Sequence, residues 1–299
     1  MNVRSETMSA TSVRTRAADF VELTKPRITT LVVLTTWVGY VVAGQGQAQI
    51  AQLLHTLCGT ALTCGGTSAL NQVWERERDA VMQRTRSRPL PSGRLQATEA
   101  LLFGLGLALA GLVELVVFVN PLAALVAAAT VVSYVCVYTP LKTRTWWSTL
   151  VGALPGAAPP LIGWAAARGA LDLGAAALFV IQFAWQLPHF YAIAWMYRDD
   201  YARAGFQMLS VLDADGTRTG RQIAGWTAAL LPLSLLPVLR GDGGWLYGIA
   251  AVSLGTYLLA LAFGVVQRHD TVRARRVFFG SIIYLPLLFG ILVLDTLLV

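Results

Sequence analysis

The chain has 299 residues, of which 56 % are hydrophobic and only 13 % charged. Soluble globular domains carry about 25 % charged residues, so most of this length has to be hidden in lipid. The formal net charge of +7 is the balance nucleic-acid binding would require, but its distribution assigns it to membrane topology.

Taken in chain order, residues 1–22 lack the apolar core of a cleaved signal peptide and read as a disordered cytoplasmic tail. Residues 23–299 read as one transmembrane domain. Thr24-Lys25-Pro26-Arg27 opens the first apolar span, with the proline where a missing amide donor is harmless. Stretches long enough to cross about 30 Å of hydrocarbon as helices run over 28–45, 50–70, 98–118, 121–138, 147–166, 173–194, 222–239, 245–266 and 278–298. Pro89 and Pro91 stop the polar helix that follows the second span, and Pro140 ends the fourth. Pro155, Pro159 and Pro160 bend or break the fifth. The expected fold is all-α, a polytopic membrane bundle of about nine transmembrane helices.

On this layout every Lys and Arg except Arg168 and Arg240 falls on one side. That asymmetry predicts a cytoplasmic or matrix N-terminus and a C-terminus outside. The short N-terminal extension favours the bacterial plasma membrane. Cys58, Cys64 and Cys136 lie inside apolar spans without CxxC spacing, which suits packing and not a disulfide framework. All long polar segments share the basic side, so the functional face is expected to be cytoplasmic.

The chemistry concentrates between the second and third spans. Asn71, Glu75 and Asp79 are four residues apart, hence on one helix face. At 1.5 Å per residue they cover about 12 Å. Such a line of oxygen ligands suits Mg²⁺ carrying a diphosphate, and Arg84 and Arg88 behind it suit the phosphates. A plainer reading has Glu75 pairing with Arg76 or Arg78 on a solvated face. Asn71 directly follows an apolar run, however, and a lone carboxylate at membrane depth is costly without a metal or cation.

The second polar loop offers Asp199 and Asp200, either as local caps or, for Asp200, as part of a second metal site. His189, shortly before that loop, reads as a hydrogen-bonded boundary histidine. The alternatives are contact with an acceptor carboxylate, general-base work or axial ligation of an iron porphyrin. Lys25, Arg27, Lys142 and Arg144 approach the same face from different loops. They are either ordinary positive-inside residues or a cationic group for diphosphate oxygens and acceptor carboxylates.

The run from Asn71 through Glu75, Asp79, Met82, Arg84-Thr85 and Arg88-Pro89-Leu90-Pro91 to Gly93 resembles the UbiA superfamily of intramembrane aromatic prenyltransferases. Leu23 to Arg27, Tyr138 to Lys142, Gly156 to Trp164, and Trp185 to Phe190 with Asp200 to Leu209 bring the resemblance to the branch whose acceptor is heme. It implies helices around a lipid-open cavity, and transfer of the farnesyl group of farnesyl diphosphate to a vinyl group of heme b with addition of water. By the same resemblance Asn71, Glu75 and Asp79 hold Mg²⁺, with Asp200 as a further ligand. Lys25, Arg27, Arg84, Arg88, Lys142, Arg144, His189, Asp200 and Tyr201 contact substrate, and a heme A synthase is a partner for the product. Departures are Glu75 where Asp is usual, Thr143 where a second basic residue is common, Ser148 where Asn is frequent, and Asp199-Asp200 in place of a full DxxxD. Competing readings are a prenyltransferase for a quinone precursor or a chlorin, and a secondary transporter. The one-sided polar weight disfavours the transporter.

Overall fold

The computed structural model describes residues 15–298, and all regular structure in them is helical. In order the elements are α1 (Arg16–Leu23), α2 (Pro26–Ala43), α3 (Ile50–Val81), α4 (Ala97–Phe118), α5 (Pro121–Val132), a π-helical segment (Ser133–Tyr138) and α6 (Thr139–Leu141). There follow α7 (Ser148–Ala157), α8 (Pro159–Arg168), α9 (Leu173–Met196), α10 (Arg198–Arg203), α11 (Leu209–Leu212), α12 (Thr217–Leu233), α13 (Leu236–Arg240), α14 (Trp245–Gln267) and α15 (Thr271–Leu298).

By length and composition, 8 helical rods among the described residues are apolar enough to cross a membrane. They are α2, α4, α5 with its continuation to Leu141, α7 with α8, α9, α12 with α13, α14 and α15. α3 is a further rod among the described residues. It is long enough, but its second half is polar, because the helix does not stop at Leu70 and runs unbroken to Val81. The expected count of about nine therefore holds, with the second span longer than its apolar part.

One expectation is overturned. Residues 16–22 of the supposed disordered tail form α1, which begins at Thr15, whose Oγ1 accepts from the Ala18 amide. Leu23 of this helix is fully buried, in one cluster with Ala69, Leu90 and Leu95. Residues 1–14 of the tail lie outside the described residues.

Small residues let the rods approach closely, the usual device where lipid offers no hydrophobic contrast. A Cβ added to Gly66 of α3 would lie 2.5 Å from the Ala108 amide of α4, and one on Gly111 2.7 Å from that of Thr63. Where α2 crosses α8, Gly39 meets the Pro160 backbone and Gly163 meets the Thr36 carbonyl. From Thr35 to Ala43, α2 is almost wholly buried, whereas no residue from Pro26 to Leu34 is.

The expected break in the fifth span falls at Ala158, between α7 and α8. Pro160 lacks the amide that would bond the Gly156 carbonyl. Gln182 Nε2 of α9 donates to that oxygen instead, at 2.8 Å. A side chain from one rod thus completes the backbone of another inside the bundle.

Candidate active site

Asn71, Glu75 and Asp79 sit on the polar half of α3, only 1 %, 5 % and 3 % exposed. Buried carboxylates require cationic or donor partners, and each residue of the line has a different one. Lys25 Nζ donates to Asn71 Oδ1 at 3.2 Å, Lys142 Nζ to Glu75 Oε1 at 2.8 Å, and Arg88 Nη1 to Asp79 Oδ2 at 2.7 Å. Three oxygen donors on one helix face are matched by three cations from three separate segments.

The segments explain the placement. Lys25 occupies the short link between α1 and α2 with φ of 49°, a left-handed conformation that costs a side-chain-bearing residue about 1 kcal/mol. The link is held from both sides. Gln72 Nε2 donates to the Leu23 carbonyl at 2.8 Å, and Arg94 reaches Asp19, Glu22 at 3.1 Å and the Ser87 carbonyl at 2.7 Å. Burial, and then the positive charges of Arg88 and Lys142, draw the Lys25 ammonium down to about 7.

Lys142 follows the π-helical segment. There the Thr139 amide bonds the Tyr134 carbonyl, just before Pro140, which has no amide to give. The Lys142 ammonium lies 4.5 Å from the Tyr138 ring centroid, and the Gln207 amide donates to the Lys142 carbonyl at 2.8 Å. Burial alone would lower its pKa, yet the Glu75 carboxylate holds it well above the ordinary lysine value.

Arg88 is carried by the turn-rich loop 82–95. Thr85 Oγ1 fastens this loop to the Asp79 carbonyl at 2.9 Å, and Met82 packs with Ala204, Phe206 and Met208. Asp200 is the second fastening. Its carboxylate accepts the amides of Gln83 at 3.2 Å and Arg84 at 3.3 Å, and pairs with Arg203. Arg84 donates to the Tyr201 hydroxyl at 3.2 Å and lies over the Tyr197 ring.

Of the residues singled out in the sequence, the structure therefore joins Lys25, Asn71, Glu75, Asp79, Arg88 and Lys142 in one cluster, with Arg84, Asp200 and Tyr201 beside it. Arg27 and Arg144 are exposed, and their side chains make no hydrogen bond or ion pair among the described residues. His189 stands apart on α9, bonded to Ser281 of α15. Thr139 was missed: its Oγ1 accepts from Asn71 Nδ2 at 3.1 Å, which aims the Asn71 carbonyl oxygen at Lys25. Arg94 was missed too, since nothing in its local sequence separates it from its basic neighbours.

Among the described residues no three His, Cys, Asp or Glu side chains gather into a metal cage. The line nonetheless fits Mg²⁺. It offers hard oxygen donors from two carboxylates and one amide, and Mg²⁺ is commonly bound by one or two carboxylates with substrate phosphates completing the shell.

A model of the UbiA prenyltransferase family matches residues 32–283. A protoheme IX farnesyltransferase of Solibacter usitatus is 52 % identical, covering 93 % of this chain and 98 % of its own. That of Koribacter versatilis is 43 % identical, covering 93 % of each. Among solved structures, a digeranylgeranylglyceryl phosphate synthase in membranes superposes with a TM-score of 0.80 at 16 % identity, covering 95 % of this chain and 99 % of that one. A UbiA homologue from Archaeoglobus fulgidus, bound to DMAPP and Mg²⁺, gives 0.67 at 15 % identity, covering 92 % and 99 %.

Proposed function

The chain belongs to the UbiA prenyltransferase family, and from that premise we propose that it transfers the farnesyl group of farnesyl diphosphate to a vinyl group of heme b, with addition of water, to give heme O. The acceptor rests on the 52 % identity, over nearly the whole of both chains, to a protoheme IX farnesyltransferase. The donor site rests on one structural observation, the buried line Asn71, Glu75 and Asp79 with its matched cations.

In this reading Asn71, Glu75 and Asp79 hold Mg²⁺, with Asp200 at the edge of the site. The ion supplies charge neutralisation to the departing diphosphate. Lys142 and Arg88, which now pair with the two carboxylates, and Lys25, which now bonds Asn71, turn toward the diphosphate oxygens as they arrive. Arg84 adds a further cation from the loop tied down by Asp200 and Tyr201. The incoming negative charge favours the protonated form of Lys25, whose ammonium burial disfavours in the free protein. Desolvation strengthens all of these contacts and keeps water from the allylic carbon. The C1–O bond of the farnesyl chain breaks, and the electron pair leaves with the diphosphate. The terminal vinyl carbon bonds to C1, and water captures the neighbouring cationic carbon with loss of a proton.

Arg27 and Arg144 belong at the rim of the site, where both are exposed. In the same proposal the protein sits in the bacterial plasma membrane with its N-terminus and site face cytoplasmic and its C-terminus outside, and a heme A synthase takes the product.

The experiment is incubation of membranes containing the chain with heme b, farnesyl diphosphate and Mg²⁺, followed by mass spectrometry of extracted hemes. The expected product carries farnesyl plus water and is absent without Mg²⁺. Unmodified heme from folded protein would overturn the acceptor.

A further inference from the structure

His189 of α9 is held by aromatic neighbours and one polar contact. Trp185 stacks on its ring at 5.3 Å and 23°, and Phe278 of α15 at 4.9 Å and 29°. Trp185 is itself tied through Nε1 to the Ser281 carbonyl at 2.7 Å. The polar contact is to α15: His189 Nδ1 lies 2.8 Å from Ser281 Oγ.

That contact fixes the tautomer. Ser281 Oγ is also 2.7 Å from the Phe278 carbonyl oxygen. A carbonyl only accepts, so the single hydroxyl hydrogen of Ser281 points there. Ser281 has no hydrogen left for His189, and the imidazole has to donate through Nδ1–H. A neutral ring then carries a lone pair and no proton at Nε2. Nε2 makes no hydrogen bond among the described residues, and it is absent from their sealed, unpartnered polar atoms, so it reaches accessible space.

We propose that His189 Nε2 is the axial ligand of the acceptor's porphyrin iron and that Ser281 is its positioning residue; the inference rests on the heme acceptor proposed above. Metal-binding histidines characteristically donate their other ring N–H to a fixed acceptor, which sets tautomer and orientation. Trp185 and Phe278 stack on the ring, Phe190 meets it at 5.8 Å and 62°, and Nε2 keeps no hydrogen-bond partner among the described residues, which leaves its lone pair for a ligand. The same geometry argues against an acceptor carboxylate as the partner, because neutral Nε2 has no proton to donate. A coordinate bond from the Nε2 lone pair to iron changes no oxidation state and consumes no reactant. It fixes the macrocycle at its centre while the reacting vinyl group stays at the edge.

The test is titration of the full-length protein in detergent with ferric heme b and, separately, with iron-free protoporphyrin IX. Wild type is expected to give the absorption and electron paramagnetic resonance signature of a histidine-ligated heme. His189→Ala should lose that signature and bind heme about tenfold more weakly, equivalent to about 1.4 kcal/mol, while binding iron-free porphyrin as wild type does. Free imidazole should restore the signature in His189→Gly. Ser281→Ala should weaken heme and leave iron-free porphyrin unchanged, and all variants should still bind farnesyl diphosphate, which shows that they are folded. An unchanged signature in His189→Ala overturns the ligation, as does an equal loss of both porphyrins, which would make the ring a packing element. Wild type that binds farnesyl diphosphate but neither porphyrin overturns the heme acceptor along with it. A wild-type heme adduct made without histidine ligation overturns the ligation alone.

Discussion

Lys142 Nζ lies 2.8 Å from Glu75 Oε1, with both residues buried at the edge of the bundle and 67 positions apart in the chain. The contact joins the acidic face of α3 to the segment after the π-helical turn, so it is a structural tie and, in the proposed function, part of the donor site as well.

The two roles separate by mutation. Removing one partner of a buried ion pair leaves an uncompensated charge and costs about 3–5 kcal/mol. Lys142→Met and Glu75→Gln should each lower the melting temperature in detergent. The double variant Glu75→Gln/Lys142→Met should regain most of that loss, because neither charge remains to be left alone. Turnover should stay absent in all three. A double variant with wild-type turnover would show that the pair is structural only.

Asp79 offers the corresponding test of the metal. Asp79→Asn keeps the side-chain volume and removes the charge that Arg88 now meets at 2.7 Å. Turnover should fall about 100-fold or more, the scale of losing one electrostatic stabiliser of a transition state. Chelation should abolish wild-type activity and added Mg²⁺ should restore it. Asp79→Ala and Glu75→Ala should both remain inserted, since both lie on the polar half of α3, past its apolar run. Wild-type-like rates in both would remove the acidic line from the chemistry.

What the sequence disclosed follows from the range of the forces involved. The membrane rods were legible because burying apolar surface in lipid is a composition effect, and the register of Asn71, Glu75 and Asp79 because helical spacing is local. Pairings were not legible. Nothing near Lys142 points to Glu75, and nothing near Arg27 or Arg144 shows that their side chains stay outside while those of Lys25 and Arg88 turn inward. α1 escaped notice because it is short and amphipathic, and its order depends on Arg94 far away in the sequence. The sequence offers Asp200 as a metal-ligand candidate, and the structure uses its oxygens to grip the amides of Gln83 and Arg84. The tautomer of His189 depends on a serine in the last helix, beyond any motif.

The glycine contacts make a prediction about stability alone. A Cβ on Gly66 would meet the Ala108 amide at 2.5 Å, and one on Gly163 would strike the Thr36 carbonyl, where backbone cannot give way cheaply. Gly66→Val and Gly163→Val should each cost about 1–3 kcal/mol or more, the range for overpacking. Gly225→Val, with nothing within 4 Å, should be close to neutral. Thermal melts by fluorescence-detected size exclusion would rank the three, and an equal shift in all would mean that these crossings do not limit packing.

Arg94 acts on the site from a distance. It touches none of Asn71, Glu75 or Asp79, yet it ties α1 down through Asp19, Glu22 and the Ser87 carbonyl, and α1 leads directly into the left-handed Lys25. A strained residue persists only where its surroundings over-determine it. Freeing α1 should let Lys25 relax and lose its aim at Asn71 Oδ1, 3.2 Å away. Arg94→Ala should therefore raise the KM for farnesyl diphosphate about tenfold, equivalent to about 1.4 kcal/mol, with a smaller effect on kcat and none on the KM for the acceptor. Arg94→Lys should recover part of the loss, since one ammonium cannot span both carboxylates as the guanidinium does. In a Lys25→Met background, Arg94→Ala should add little further. Full additivity of the two changes would mean that Arg94 serves the fold and not the position of Lys25.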